Sequence, residues 1–266
     1  MIRNINSKRW FEVLGEKAIE FIEYIGAVTI FLGEILFWLF HPPFRIKEAI
    51  KQAEKIGVSS LPIVTLISLF TGMVLALQSA YQMQKIQAEM YIASLVALSM
   101  IRELGPVLTA LVVAGRCGAA ITAEIGTMKV TEQIDALETL ATNPINYLVV
   151  PRFWALLVSL VILTIYADFI GIVGGYIIGI TKLNMSHHMY VKMTFDPITQ
   201  SDVRNGLYKS FVFGIVICTI ACFEGMRTKG GAEGVGRATT SSVVRSFVLI
   251  IACDCLLTAF MYFIGR

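Results

Sequence analysis

The chain has 266 residues, of which 56% are hydrophobic and 15% charged, with a net charge of +3. A soluble domain carries about 25% charged residues, so this composition excludes an ordinary soluble protein and points to a membrane-embedded one. The small positive charge is dispersed and no aromatic-basic module accompanies it, which excludes a nucleic-acid partner.

The first stretch, Arg3 to Glu23, mixes charge with Trp10, Phe11, Val13, Leu14, Ala18, Ile19 and Ile22. That pattern suits an amphipathic helix lying in the membrane interface. Met1 to Gly15 lacks a compact apolar core with a small-residue cleavage site, so neither a cleaved signal nor a plastid transit peptide is expected. Tyr24–Phe40 is apolar but short, contains Glu34, and is stopped by His41-Pro42-Pro43. Arg3, Lys8, Arg9 and Lys17 precede it, and Arg45, Lys47, Lys51 and Lys55 follow it. Basic flanks favour the cytoplasmic side. With both flanks there, the segment reads as an interfacial or re-entrant helix, and residues 1–57 read as an N-terminal interfacial and re-entrant region with a cytoplasmic N-terminus.

Residues 58–266 read as five spans, with boundaries at 58–81, 91–115, 153–181, 206–223 and 246–265. The predicted fold class is therefore all-α: a polytopic integral membrane protein with five transmembrane helices after the N-terminal region. Five spans do not divide into equal halves, which argues against a repeat-built secondary transporter. The third span repeats glycine at Gly171, Gly175 and Gly179, a flat ridge that lets another backbone approach, within one subunit or between two.

The second span is interrupted by Arg102-Glu103-Leu104-Gly105-Pro106. Each charge near a bilayer midpoint costs roughly 2.5–3.5 kcal/mol, and Pro106 cannot donate to the Arg102 carbonyl one turn back. Paired charges beside a helix break at that depth mark a functional site; a structural ion pair between helices is the alternative. Lys209, Asp254 and Asp168 are also stranded in apolar runs, and Glu103, Lys209, Asp254 and Arg102 could form one network across helices. Lys209 counts as shallower than Glu103, so its stem would have to reach inward.

The cytoplasmic segment 116–150 contains an amphipathic stretch from Lys129 to Ala141. Val130, Ile134, Leu137 and Ala141 share one face, while Glu132, Asp135 and Glu138 form an acidic stripe. A short helix of this kind suits docking onto a protein rather than onto an anionic membrane. The second cytoplasmic segment, Glu224–Arg245, is glycine-rich and reads as a loop, with Thr239 to Ser242 capping the last span. Gly231 and Gly236 have the spacing of a phosphate loop, but Arg237-Ala238 follows where Lys and Ser or Thr are required, so this segment binds no ATP. The five cysteines lie in or beside apolar runs and read as buried small hydrophobes. His41, His187 and His188 do not converge with them, and no metal or cofactor is expected.

Residues 66–78 (Leu-Ile-Ser-Leu-Phe-Thr-Gly-Met-Val-Leu-Ala-Leu-Gln), Arg102-Glu103-Leu104-Gly105-Pro106-Val107-Leu108, Ala114-Gly115-Arg116, Thr122-Ala123-Glu124-Ile125-Gly126-Thr127-Met128, Thr131-Glu132-Gln133-Ile134-Asp135-Ala136-Leu137, Pro151-Arg152-Phe153-Trp154 and Gly236-Arg237-Ala238-Thr239-Thr240, with the Asp254 helix, together resemble the MlaE/YrbE permease family. The resemblance runs from about Val58 to Phe263. It implies a homodimeric, non-catalytic permease of an ABC-type phospholipid transporter in the bacterial inner membrane. The implied partners are a cytoplasmic ATPase, a periplasmic MCE-domain protein and often a small STAS-domain protein, and the implied role is outer-membrane lipid balance. It further implies that Arg102, Glu103, Lys209 and Asp254 lie around a lipid cavity. Glu124, Gly126, Thr127, Met128, Glu132, Asp135 and Leu137 would then belong to the segment that couples to the ATPase. A proton-coupled secondary transporter using Glu103 and Asp254, or an intramembrane scaffold, would need no ATPase.

Overall fold

The computed structural model describes residues 3–43 and 45–264, which form helices and turns with no strand among them. The side chains before Gly15 lie outside the described residues, and with them the apolar face drawn from Trp10 to Leu14. Ten α-helices follow one another among the described residues: α1 (Arg3–Leu39), α2 (Ile46–Gln84), α3 (Ile92–Ser99), α4 (Gly105–Val113), α5 (Ala119–Val130), α6 (Gln133–Thr139), α7 (Val150–Thr181), α8 (His187–Phe195), α9 (Gln200–Met226) and α10 (Gly231–Ile264).

Six stretches are long and apolar enough to cross a membrane: Gly15–Leu39, Ile46–Gln84, Glu89–Val130, Ile145–Thr181, Gln200–Met226 and Gly231–Phe263. The last five take in the five predicted spans, the last of them as far as Phe263. The first contains most of Tyr24–Phe40, and its neighbours describe its course. The Tyr24 hydroxyl donates to Glu224 at 2.8 Å. The Phe31 ring lies 5.6 Å from that of Phe223. Glu34 and Trp38 line a cleft with Lys129, Ile134, Glu138 and Met226. These partners all belong to the end of α9 and the α5–α6 segment, so α1 runs across one end of the bundle rather than along it.

The second span is one column built from α3, α4 and α5, joined by π-helical turns at Met100–Leu104 and Ala114–Gly118. Such turns insert a residue into the helical ladder and are frequent at functional sites. Here the first coincides with the charged pair and Pro106.

The glycine ridge packs within the chain. A Cβ on Gly72 of α2 would lie 1.8 Å from the Gly171 carbonyl oxygen of α7, and one on Gly174 would lie 2.3 Å from the Leu69 carbonyl oxygen. The two backbones touch, which only glycine permits. Gly179 accommodates the Tyr190 ring of α8, folding the outer segment back onto the span. Asp196-Pro197 separates α8 from α9, which starts with a capping box between Thr199 and Asp202.

Two sequence-level expectations change. The predicted glycine-rich loop over 224–245 is mostly helix, and the turn is confined to Arg227–Gly230, with Gly230 and Gly231 at positive φ. Packing overrides the helix cost of Gly234 and Gly236, because Thr122 of α5 donates to Ser242 at 2.8 Å. Thr239 and Thr240 do not cap the last span; they donate to the carbonyls of Val235 and Gly236 one turn back. The Lys129–Ala141 stretch is not one helix either. It breaks at Thr131-Glu132, where Glu132 takes φ 61°.

Candidate functional site

Lys209 of α9 is 2% exposed and sits at the centre of the site. Its three ammonium protons are all used. Nζ donates to Glu103 Oε2 at 2.5 Å, to Thr258 Oγ1 at 2.7 Å and to the Arg102 carbonyl at 3.1 Å. Asp254 Oδ1 lies 3.0 Å from the same nitrogen as an ion contact rather than an aligned hydrogen bond. Thr258 in turn donates to Glu103 Oε1 at 3.1 Å. Two carboxylates thus share one cation.

The local backbone explains the geometry. Pro106 leaves the Arg102 carbonyl without its usual donor, and the π-helical turn aims that edge of the helix at α9. Gly206 lets α9 come close, since a Cβ there would lie 2.3 Å from the Ile101 carbonyl oxygen. Lys209, three residues on, then meets the next carbonyl. The difference in depth counted along the sequence is absorbed by this contact.

Glu103, Lys209 and Asp254 therefore converge. The Arg102 side chain does not join them, because successive helical residues point about 100° apart. Its Nε donates to Asp202 Oδ1 at 2.7 Å, and Arg102 remains about half exposed at 52%. Asp202 does not stand out in the sequence. The signal for it is the Thr199-x-x-Asp202 spacing of a capping box, in which Asp202 Oδ2 accepts from the Thr199 amide and hydroxyl. Asp168 stands apart: its Oδ1 packs against the Gly105 backbone and has no hydrogen-bond partner among the described residues. Thr258, equally inconspicuous in the sequence, is one turn after Asp254 and shares its face.

Exposed apolar residues adjoin the cluster. On α10, Ile251, Leu256 and Phe260 are exposed on either side of Asp254.

The residues of the predicted coupling segment divide. Thr127, Glu132 and Asp135 are exposed, and Asp135 pairs with Lys129 at 2.7 Å. Met128 and Leu137 pack against the core and Ile134 is buried within it. Gly126 is closed off by Thr228, whose Oγ1 would lie 2.8 Å from an added Cβ. Glu124 points inward, held by Lys55 and, at 3.2 Å, by Arg152. It ties α2, α5 and α7 together.

Residues 49–260 match the family described as Permease MlaE. The chain is 45% identical over 250 residues to a Rickettsia typhi protein named "Probable ABC transporter permease protein", covering 94% of this chain and 96% of that one. It is 38% identical over 259 residues to the Haemophilus influenzae "Intermembrane phospholipid transport system permease protein MlaE", covering 96% and 98%. It is 34% identical over 236 residues to the chloroplastic protein TRIGALACTOSYLDIACYLGLYCEROL 1 of Arabidopsis thaliana, covering 89% and 67%.

Proposed function

The chain belongs to the MlaE permease family, and on that premise we propose that it is the membrane subunit of an ATP-driven phospholipid transporter. The observation that carries this reading is the Glu103–Lys209–Asp254 cluster, set at a helix break and flanked by exposed apolar residues of α10. Acyl chains fit this apolar surface. Arg102, half exposed beside the cluster, is the group placed to attract a headgroup phosphate. Glu103 and Asp254 balance the Lys209 charge and bias the arrangement of α4, α9 and α10 that holds them. A second copy of the chain closes the cavity, covering apolar surface that a single copy leaves open.

The energy comes from outside this chain. A cytoplasmic ABC ATPase docks on the exposed side of the α5–α6 segment, through Thr127, Glu132 and Asp135, while Glu124, Gly126, Met128 and Leu137 hold that segment against the bundle. On the opposite side the chain meets a periplasmic MCE-domain protein, and a STAS-domain protein accompanies the ATPase. The complex sits in the bacterial inner membrane with the N-terminus of this chain cytoplasmic, and serves the lipid balance of the outer membrane.

The test is reconstitution of the full chain with its ATPase in liposomes carrying a fluorescent phospholipid. Transfer should require ATP and the ATPase, and Glu103→Lys should abolish it while the dimer still assembles. Transfer by this chain alone under a proton gradient, or unchanged transfer in Glu103→Lys, would overturn the reading.

A further inference from the structure

At the other end of the α3–α5 column, a groove of about 160 Å³ opens between α2 and α5. Its floor is apolar, from Ile56, Cys117 and Ile121, and its rim is polar, from Gln52, Lys55, Ser59, Arg116 and Glu124. Charge placement along the chain sets its depth. Lys55 is the last charge before the uncharged stretch from Ile56 to Gln84, Arg116 is the first charge after Leu104 to Gly115, and Arg152 directly precedes the apolar run from Phe153 to Ala167. Three spans thus bring a cation to the same polar–apolar boundary, where headgroup phosphates lie.

The charges there do not balance. Glu124 is the carboxylate paired with this set, and both its oxygens are engaged, one by Lys55 and one by Arg152. Arg116 is exposed and has no carboxylate partner among the described residues. It is held instead by hydroxyls: Nη1 donates to Ser59 Oγ at 2.7 Å and reaches Ser60 Oγ at 3.5 Å. Both serines spend their own protons on α2 carbonyls, those of Lys55 and Ile56. They therefore meet the guanidinium with lone pairs, which orient it without neutralising it. Nε and Nη2 have no protein partner among the described residues, which leaves donors of a planar fork free for a phosphate. The π-helical turn at Ala114–Gly118 sets Arg116 at this spot.

We propose that Arg116, oriented by Ser59 and Ser60 and backed by Lys55, binds the phosphate of a lipid headgroup at the cytoplasmic boundary of the membrane. Basic pockets between spans on that side are suited to anionic headgroups. Arg116 is 13 residues from Glu103, about 20 Å along the helix, so this site is separate from the buried cluster. It rests on the lipid-permease reading only for the carrier of the phosphate and for which face is cytoplasmic.

The full chain is placed in phosphatidylcholine nanodiscs doped with phosphatidylglycerol bearing a photoreactive headgroup, and labelled peptides are mapped by mass spectrometry. Label is expected on the peptides carrying residues 52–60 and 116–124, and should fall at least about tenfold in Arg116→Gln, as for the loss of a charge-assisted phosphate contact. Ser59→Ala/Ser60→Ala, which removes no charge and no apolar floor, should lower it about threefold by freeing the guanidinium. If Arg116→Gln does not fold, the serine variant decides between the outcomes. Equal labelling of wild type and both variants, or no label on either peptide, overturns the proposal. Displacement of the label by excess inorganic phosphate overturns the lipid assignment in favour of free phosphate. No ATPase is present, so failure of ATP-driven transfer leaves this result unaffected.

Discussion

Lys209 Nζ donates to the carbonyl oxygen of Arg102 at 3.1 Å, the carbonyl whose helical donor is missing because residue 106 is proline. One lysine thus does two jobs: it serves a backbone group at a helix break, and it is the counter-ion of Glu103 and Asp254. Breaking the helix and burying the cation are coupled features.

That coupling is measurable. Lys209→Met keeps the stem but leaves two carboxylates facing each other, and should destabilise the protein by about 1–3 kcal/mol, below the cost of a fully buried pair because Glu103 is partly exposed. Pro106→Ala restores an N–H four residues after Arg102. The double variant should then lose less than the sum of the singles, by about 0.5–3 kcal/mol for groups in direct contact. Unfolding in detergent micelles reads both, and strict additivity would show the carbonyl contact to be incidental.

The long apolar runs made the spans legible, and the cost of charge in lipid made Glu103, Lys209 and Asp254 stand out. Partner choice was not legible. Arg102 and Glu103 are adjacent in sequence but face different neighbours, and Asp202 acts from the first turn of α9, where a polar residue attracts no notice. The glycines of 230–236 misled because local propensity favours a loop, whereas contact with α5 through Ser242 and Thr122 keeps α10 helical.

Close backbone contact between α2 and α7 predicts intolerance to a single methyl group. In Gly72→Ala the Cβ would meet a carbonyl oxygen at 1.8 Å, with backbone on both sides and nothing able to rotate away. The expected loss is about 3 kcal/mol or more, at or beyond the usual overpacking cost. Gly57→Ala, whose nearest neighbour is Ser159 Oγ at 3.7 Å, should be neutral or gain up to about 1 kcal/mol of helix propensity. Comparable melting temperatures for the two variants would contradict the packing.

Tyr190 is 1% exposed and its hydroxyl has no hydrogen-bond partner among the described residues. Removing that oxygen in Tyr190→Phe should therefore cost nothing or stabilise by up to about 1 kcal/mol, whereas Tyr190→Ala should cost about 3–5 kcal/mol. Burial pushes the phenol up to about 12. The raised value stabilises the fold fully below the unfolded pKa of about 10, and that contribution fades as pH rises toward the folded one. Melting curves above pH ~10 should fall less steeply in Tyr190→Phe.

Glu132 separates stability from coupling. It is exposed and holds φ 61°, a conformation that costs an L-residue about 1–2 kcal/mol. Glu132→Gly relieves that strain but adds freedom to the unfolded chain, so stability should change by less than about 1 kcal/mol. Combined charge reversal, Glu132→Lys with Asp135→Lys, should leave the melting temperature nearly unchanged and abolish ATPase docking in a pull-down. Full docking in the reversed variant would place the coupling surface elsewhere.

The course of α1 gives the last prediction. Tyr24 binds Glu224 at the end of α9, and Trp38, fourteen residues later, lies in a cleft with Lys129 and Glu138. Fourteen helical residues span about 21 Å, most of the way through a hydrocarbon core of about 30 Å. Yet both contacts are to groups at one end of the bundle. A crossing helix would bring one of them to the opposite end, so α1 is expected to lie in the plane of the membrane, anchored by Tyr24 under the Arg245 guanidinium, 4.1 Å above its ring. In a Cys255→Ser background, Lys17→Cys and His41→Cys should react with an impermeant thiol reagent from the same side of sealed vesicles. Reaction from opposite sides would make α1 a sixth span. Tyr24→Ala should loosen the anchor and raise the reactivity of Lys17→Cys while leaving that of His41→Cys unchanged, because the second half of α1 is held separately by Phe31, Ile35 and Leu39 in the core.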